Sequence, residues 1–230
     1  MHIPDGFIDA GTSVGAGVLA AGGLGVAVKR ATASLDDKHV PLAGLVAAFV
    51  FAAQMVNFPV GAGTSGHLIG GVLAAVLVGP WAGALSVAVV LLVQALFADG
   101  GLTALGLNIF NMSLVGAAGG YCIFVVLRRL LPNGRSGVTI ASGLAAALSV
   151  PLCALAFVIE YGIGGTVGVS LGAVTVAMIG VHILIGIGEG VITAMTVGAV
   201  INVRPDLVFG AEGVLPPPDI RGQTSPAVGT

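Results

Sequence analysis

Seven apolar stretches, parted by short polar or Gly/Pro breaks, take up most of this chain. They fall near residues 8–28, 41–58, 67–79, 82–97, 104–127, 138–160 and 169–202. About 20 apolar residues in a helix cross the hydrocarbon core of a bilayer, so the pattern predicts an all-α polytopic membrane protein with seven transmembrane helices. Mean hydropathy is +1.10, and only 8% of the residues are charged, far from the balance of a water-soluble domain. The third and fourth stretches, broken at Gly79-Pro80, are short for full crossings and read as a tilted helical hairpin.

The eight basic residues set the orientation. Lys29, Arg30 and Lys38 follow the first stretch, Arg128, Arg129 and Arg135 the fifth, and Arg204 and Arg221 the seventh. Positive charge favours the cytoplasmic side, and only an odd number of spans puts all three groups on one face. The expected topology is an N-terminus outside and a C-terminus in the cytoplasm. Residues 1–204 then form the membrane domain, and the proline-rich 205–230 a cytoplasmic tail. The first basic residue comes after the first apolar run, unlike a cleavable signal peptide, so the N-terminus is expected to be retained. No basic patch suits nucleic acid. Cys122 and Cys153 sit singly in apolar runs and read as small hydrophobes. Gly17, Ala21 and Gly25, and likewise Gly71, Ala75 and Gly79, recur at four-residue spacing, which allows close helix packing or docking of a partner membrane subunit.

Chemistry is concentrated in very few residues. In MHIPDGFI, the α-amine of Met1, the amide nitrogen of His2 once deprotonated and the His2 imidazole can close two fused chelate rings on one cation. Three coplanar nitrogens suit Ni(II) or Cu(II), with Co(II) a softer fit; the alternative is a loose terminus that happens to hold a histidine. His67 follows the glycine-rich GAGTSG on the same expected face and would complete four nitrogens; alternatively it is a helix-start histidine bonded to a nearby carbonyl. Asn57, Ser65, Asn108 and Asn111 lie near that face and suit either the orienting of ligands or capping. His39, beside Lys38, reads as solvated. His182 and Glu189, seven residues apart, share one face of the last helix, about 20 and 30 Å from its outer end. That depth places them too far in to join a site at the outer mouth, as a polar pair that fixes packing or lines an ion path.

Together, MHIPDGFI, FVFAAQMVNFPVGAGTSGHLIGG, QALFADGGLTALGLNIFNMSLVG and HILIGIGEGVITA resemble the substrate-binding component of energy-coupling-factor transporters for cobalt and nickel, of the CbiM/NikM type. The likeness runs in order over residues 1 to about 206. It implies a seven-helix subunit in the prokaryotic plasma membrane that captures Co2+ or Ni2+ as transported substrate, with no permanent cofactor. Carried onto this sequence, Met1 gives its amine, His2 its backbone nitrogen and imidazole, and His67 its imidazole. The resemblance also implies a transmembrane coupling subunit, two cytoplasmic ATP-binding subunits and, in some relatives, a small accessory membrane subunit. The chain has no GxxxxGK[ST] phosphate loop, so ATP hydrolysis is expected in those partners and the chain itself is not expected to be an enzyme. The rival reading is a self-sufficient proton-coupled secondary transporter using His182 and Glu189. Geometry leans towards nickel, and the choice between cobalt and nickel stays open.

Overall fold

The computed structural model describes residues 1–34, 39–61 and 64–215. Those residues are mostly helical. The helices are α1 (Ala10–Ser34), α2 (His39–Gln54), α3 (Gly71–Val78), α4 (Pro80–Leu96), α5 (Leu105–Leu130), α6 (Arg135–Gly164) and α7 (Leu171–Val203). Four of them, α1, α5, α6 and α7, are long and apolar enough to cross a membrane by length and composition; α2 and α4 are shorter apolar helices.

Helix α2 stops at Gln54, short of the expected 58, because the chain turns into a hairpin. Pro59 pushes the residue before it into extended geometry, and Phe58–Gly61 pairs antiparallel with Thr64–Gly66. Helix α3 has eight residues, every one of them buried. At 1.5 Å per residue it is only about 12 Å long, too short to span the hydrocarbon core by itself, and it lies enclosed within the bundle. Gly79 (φ +90°) and Pro80 turn the chain directly into α4. A Cβ on Gly83 of α4 would stand 2.6 Å from the Ala75 backbone nitrogen, and one on Gly71 2.8 Å from the Ala117 nitrogen of α5. The small residues of this region therefore serve internal packing, as does Gly17, whose Cα lies 2.5 Å from where a Cβ of Gly106 would be.

Helices α6 and α7 form an antiparallel pair in near backbone contact. A Cβ on Gly190 would lie 2.7 Å from the Gly143 carbonyl oxygen, and one on Gly186 2.5 Å from that of Ala147. The outward stripe of α6, Leu144, Leu148, Leu152, Leu155, Ile159 and Ile163, is exposed and apolar, as a lipid-facing surface requires. In α7 the buried stripe is Val174, Met178, His182, Gly186, Glu189, Gly190, Thr193, Val197 and Ile201.

One expectation is corrected. His39 opens α2 with 2% exposure and is not a solvated loop residue. In the segment expected as a tail, Pro205–Leu207 and Phe209–Ala211 form short 3-10 turns that fold back onto the bundle, Phe209 against Gly79 and Gly210 against Phe124 and Val76. The remainder of the expected tail, 216–230, lies outside the described residues. Cys153 is buried and Cys122 exposed, both as free thiols.

Candidate metal centre

The first nine residues are folded into the bundle. Met1 and His2 are 1% and 5% exposed, and Ile3 is fully buried. Ile3 donates its N–H to Asn108 Oδ1 (2.8 Å), and Asn108 Nδ2 donates back to the Ile3 carbonyl (3.2 Å). Gly101 N–H also reaches that carbonyl (2.9 Å). The Thr103 N–H (2.7 Å) and hydroxyl (2.5 Å) both donate to Asp5 Oδ1. Beyond the turn at Gly6, Thr166 N–H donates to the Phe7 carbonyl (3.1 Å) and Asp9 N–H to that of Gly164 (2.7 Å). The segment is thus stitched to the loop before α5 and to the α6–α7 connection. Gly100 and Gly101 make this possible: a Cβ on Gly100 (φ +100°) would meet His2 Nδ1 at 3.1 Å, and one on Gly101 would lie 2.4 Å from the Asp5 nitrogen.

The inserted terminus brings His2 against His67. Their rings stack with centroids 4.4 Å apart and an interplanar angle of 27°. His67, 1% exposed, bonds through Nδ1 to the carbonyl of Leu68 (2.8 Å). A carbonyl only accepts, so the proton is on Nδ1 and the Nε2 lone pair is bare. That Nε2 is buried without a partner, as is His2 Nε2. Burial lowers the Met1 amine well below its usual value, with Asp99 and then Cys153 opposing. Burial first, and then the Met1 ammonium, lower His2 from 6.5 to about 3. A neutral His2 makes its 3.7 Å approach to Asp99 Oδ2 a long polar contact and not an ion pair.

Asp99 is the residue that sequence reading missed. It lies in FADGG, one of the few acidic residues close to an apolar run, and Asn57 Nδ2 stands 3.4 Å from both of its carboxylate oxygens. Asn57 therefore reaches His2 only through Asp99. Ser65 sits in the hairpin opposite Pro59, on the strand that leads to His67. Asn108 holds the terminus, whereas Asn111 points elsewhere and donates to Glu160 Oε2 (2.7 Å). The two asparagines, three residues apart, part company because the helix is a π-helix over Ile109–Gly119, whose wider i→i+5 turn rotates them off the common face that three-residue spacing gives in an α-helix.

His182 and Glu189 do not bond to each other. His182 Nδ1 donates to the Met178 carbonyl (2.7 Å), while Glu189 accepts from the N–H groups of Ile69 (2.6 Å) and Gly70 (2.8 Å). His182 also lies within electrostatic reach of the Met1 amine and His67. The terminus is inserted into the bundle instead of resting at its mouth, which brings the candidate site closer to His182 than expected. Among the described residues, no three His, Cys, Asp or Glu side chains form a metal cluster. A metal here would have to draw on backbone nitrogen as well as on His2 and His67.

A family model described as "Cobalt uptake substrate-specific transmembrane region" matches residues 2–207. The chain belongs to this family. It is 35% identical over 212 residues to the cobalt transport protein CbiM of Sorangium cellulosum, covering 90% of this chain and 94% of that one. It is 37% identical over 164 residues to the fused nickel transport protein NikMN of Rhodobacter capsulatus, covering 71% of this chain but 47% of the longer relative. A crystal structure of a transition metal transporter superposes with a TM-score of 0.82 at 34% identity, over 88% of this chain and 93% of the other. The family is one of cobalt and nickel transport proteins, not of enzymes, and its apolar helices make this chain a membrane protein.

Proposed function

We propose that the chain is the substrate-capturing membrane subunit of an ATP-driven energy-coupling-factor importer for Co2+ or Ni2+. The ion enters from outside and is held by four nitrogens: the Met1 amine, the deprotonated His2 amide, His2 Nδ1 and His67 Nε2. His2 Nδ1 is the ring nitrogen that closes a six-membered chelate with its own amide. The observation that carries this reading is the burial of the first two residues against His67, with the His67 Nε2 lone pair left unpartnered. Sequence parity supports a terminus outside, a C-terminus in the cytoplasm and a multi-pass position in the plasma membrane. A transmembrane coupling subunit and two cytoplasmic ATP-binding subunits supply the energy. A small accessory membrane subunit is a further proposed partner.

The test is Ni(II) titration of the purified chain in three forms: unmodified, carrying a short extension ahead of Met1, and carrying His67→Ala. An extension turns the amine into an amide, and both changes should abolish tight binding while the melting temperature stays close to that of the unmodified protein. Tight one-to-one binding in both altered proteins would overturn the site.

A further inference from the structure

Among the described residues, the His67 side chain hydrogen-bonds only within its own loop, to Leu68 next to it. The position of its free Nε2 is therefore set by its backbone and by the stack on His2, so what holds that backbone matters. Two residues on, Ile69 is gripped from both sides. Its N–H, with that of Gly70, donates to the two oxygens of Glu189 from α7 (2.6 and 2.8 Å), and its carbonyl accepts from Gln54 Nε2 at the end of α2 (2.7 Å). Glu189 and Gln54 are 2% and 0% exposed. A carboxylate so placed answers the unpaired N–H groups and positive end of a helix, here α3, which starts at Gly71. The loop leaves the backbone little other freedom. Gly70 is left-handed (φ +72°), and a Cβ there would stand 2.8 Å from Val50 Cγ2; one on Gly66 would meet Val60 at 2.8 Å and Ile185 of α7 at 3.0 Å.

We propose that Glu189 and Gln54 are positioning residues for the metal site, fixing His67 Nε2 in the fourth nitrogen position by clamping the Ile69–Gly70 backbone. This inference rests on the capture reading above. It also makes α7 a handle on the site. The turns that follow α7 pack against the far end of α3 at Gly79, so one helix and its extension hold α3 at both ends. A displacement of α7 relative to α2 would pull the two halves of the clamp apart and withdraw one ligand of four.

The experiment titrates Ni(II) salt into purified full-length protein and records affinity together with the visible ligand-field band. The variants are Glu189→Ala, Glu189→Gln, Gln54→Met and His67→Ala, with Ser142→Ala as a control for loss of a buried hydrogen bond elsewhere, to Val138. Glu189→Ala and Gln54→Met should weaken binding about 10- to 100-fold and move the band toward that of His67→Ala. Glu189→Gln keeps one acceptor and should fall between. Ser142→Ala should leave the band in place even if it lowers the melting temperature. Wild-type affinity and band in folded Glu189→Ala and Gln54→Met would overturn the clamp. Should Glu189→Ala fail to fold, Gln54→Met decides alone, since the carboxylate stays where it is. If His67→Ala itself binds like the wild type, it is the capture site that fails; if only the clamp variants do, the site stands and the positioning role falls.

Discussion

Burial of the terminus has a consequence that can be counted in protons. Metal uptake displaces every proton carried by its nitrogen donors. In a free peptide MHIPDGFI, an amine near 8.0 and an imidazole near 6.5 are protonated at pH 7 to about nine-tenths and one-quarter, and the amide adds a third proton to displace. The peptide should then release about two protons per Ni(II) at pH 7 and close to three at about pH 6. In the protein, burial lowers the amine and moves His2 to about 3, so fewer protons remain to be displaced. The protein's count should lie below the peptide's and rise less as the pH falls from 8 to 6. Calorimetry in buffers of different ionisation enthalpy, corrected for metal–buffer binding, reads the number directly. A protein count that climbs with acidity in step with the peptide's would show that the amine and imidazole are solvated, and the reasoning from burial would be wrong.

Acid should also weaken the metal-free fold. A cationic group whose folded pKa is depressed binds fewer protons folded than unfolded, so stability falls as pH drops below the unfolded pKa. His2 alone should cost about 2 kcal/mol between pH 6.5 and about 5, read as a lower melting temperature; a flat profile would count against its burial. Asn108→Ala removes both bonds to Ile3 and should destabilise by about 2–4 kcal/mol, with faster proteolysis of the first residues and weaker Ni(II) binding. Gly101→Ala drives a methyl into the Asp5 backbone and should cost about 1–3 kcal/mol, with metal affinity lost before the helices melt. Asp99→Asn should lower Ni(II) affinity about 10- to 100-fold while leaving the far-ultraviolet circular dichroism unchanged.

The helices and the candidate residues Met1, His2 and His67 were legible because each depends on local pattern: apolar runs, a histidine second in the chain, and a glycine-rich turn before His67. Partner choice was not legible. Glu189 stands out in any reading of α7, but helical spacing pairs it with His182, seven residues away. Seven residues are about 10.5 Å along a helix, too far for a hydrogen bond, so each side chain must find another partner. Glu189 finds it about 120 residues upstream. Asp99 was missed for the same reason: its meaning comes from His2, nearly a hundred residues away, across a contact that only the folded chain creates. The shortness of the third apolar stretch was legible, but the burial of α3 on every side was not, because hydropathy registers an apolar run without telling a lipid-facing helix from one enclosed by protein.

Charge ties the site together. A divalent ion cannot sit in a dry pocket without compensation, since an uncompensated buried charge costs several kcal/mol. Amine and imidazole donors bring no negative charge of their own, so the compensation must come from two negative groups. One is created on binding, when the His2 amide loses its proton. The other is already in place: Asp99, 3.7 Å from His2 Nε2, with Asn57 alongside. Burial raises the Asp99 carboxyl, opposed by the Met1 ammonium and by Asn57, and an arriving ion would favour its charged form more strongly still. Two minus charges against two plus leave the loaded pocket neutral overall. Closure of the 3.7 Å gap to Asp99 on loading would give His2 the carboxylate–histidine arrangement that fixes a ligand ring and raises its basicity. A monovalent ion displaces the amide proton far less readily and would leave the Asp99 charge in excess, so the same arrangement that makes room for a divalent ion selects against the abundant monovalent ones.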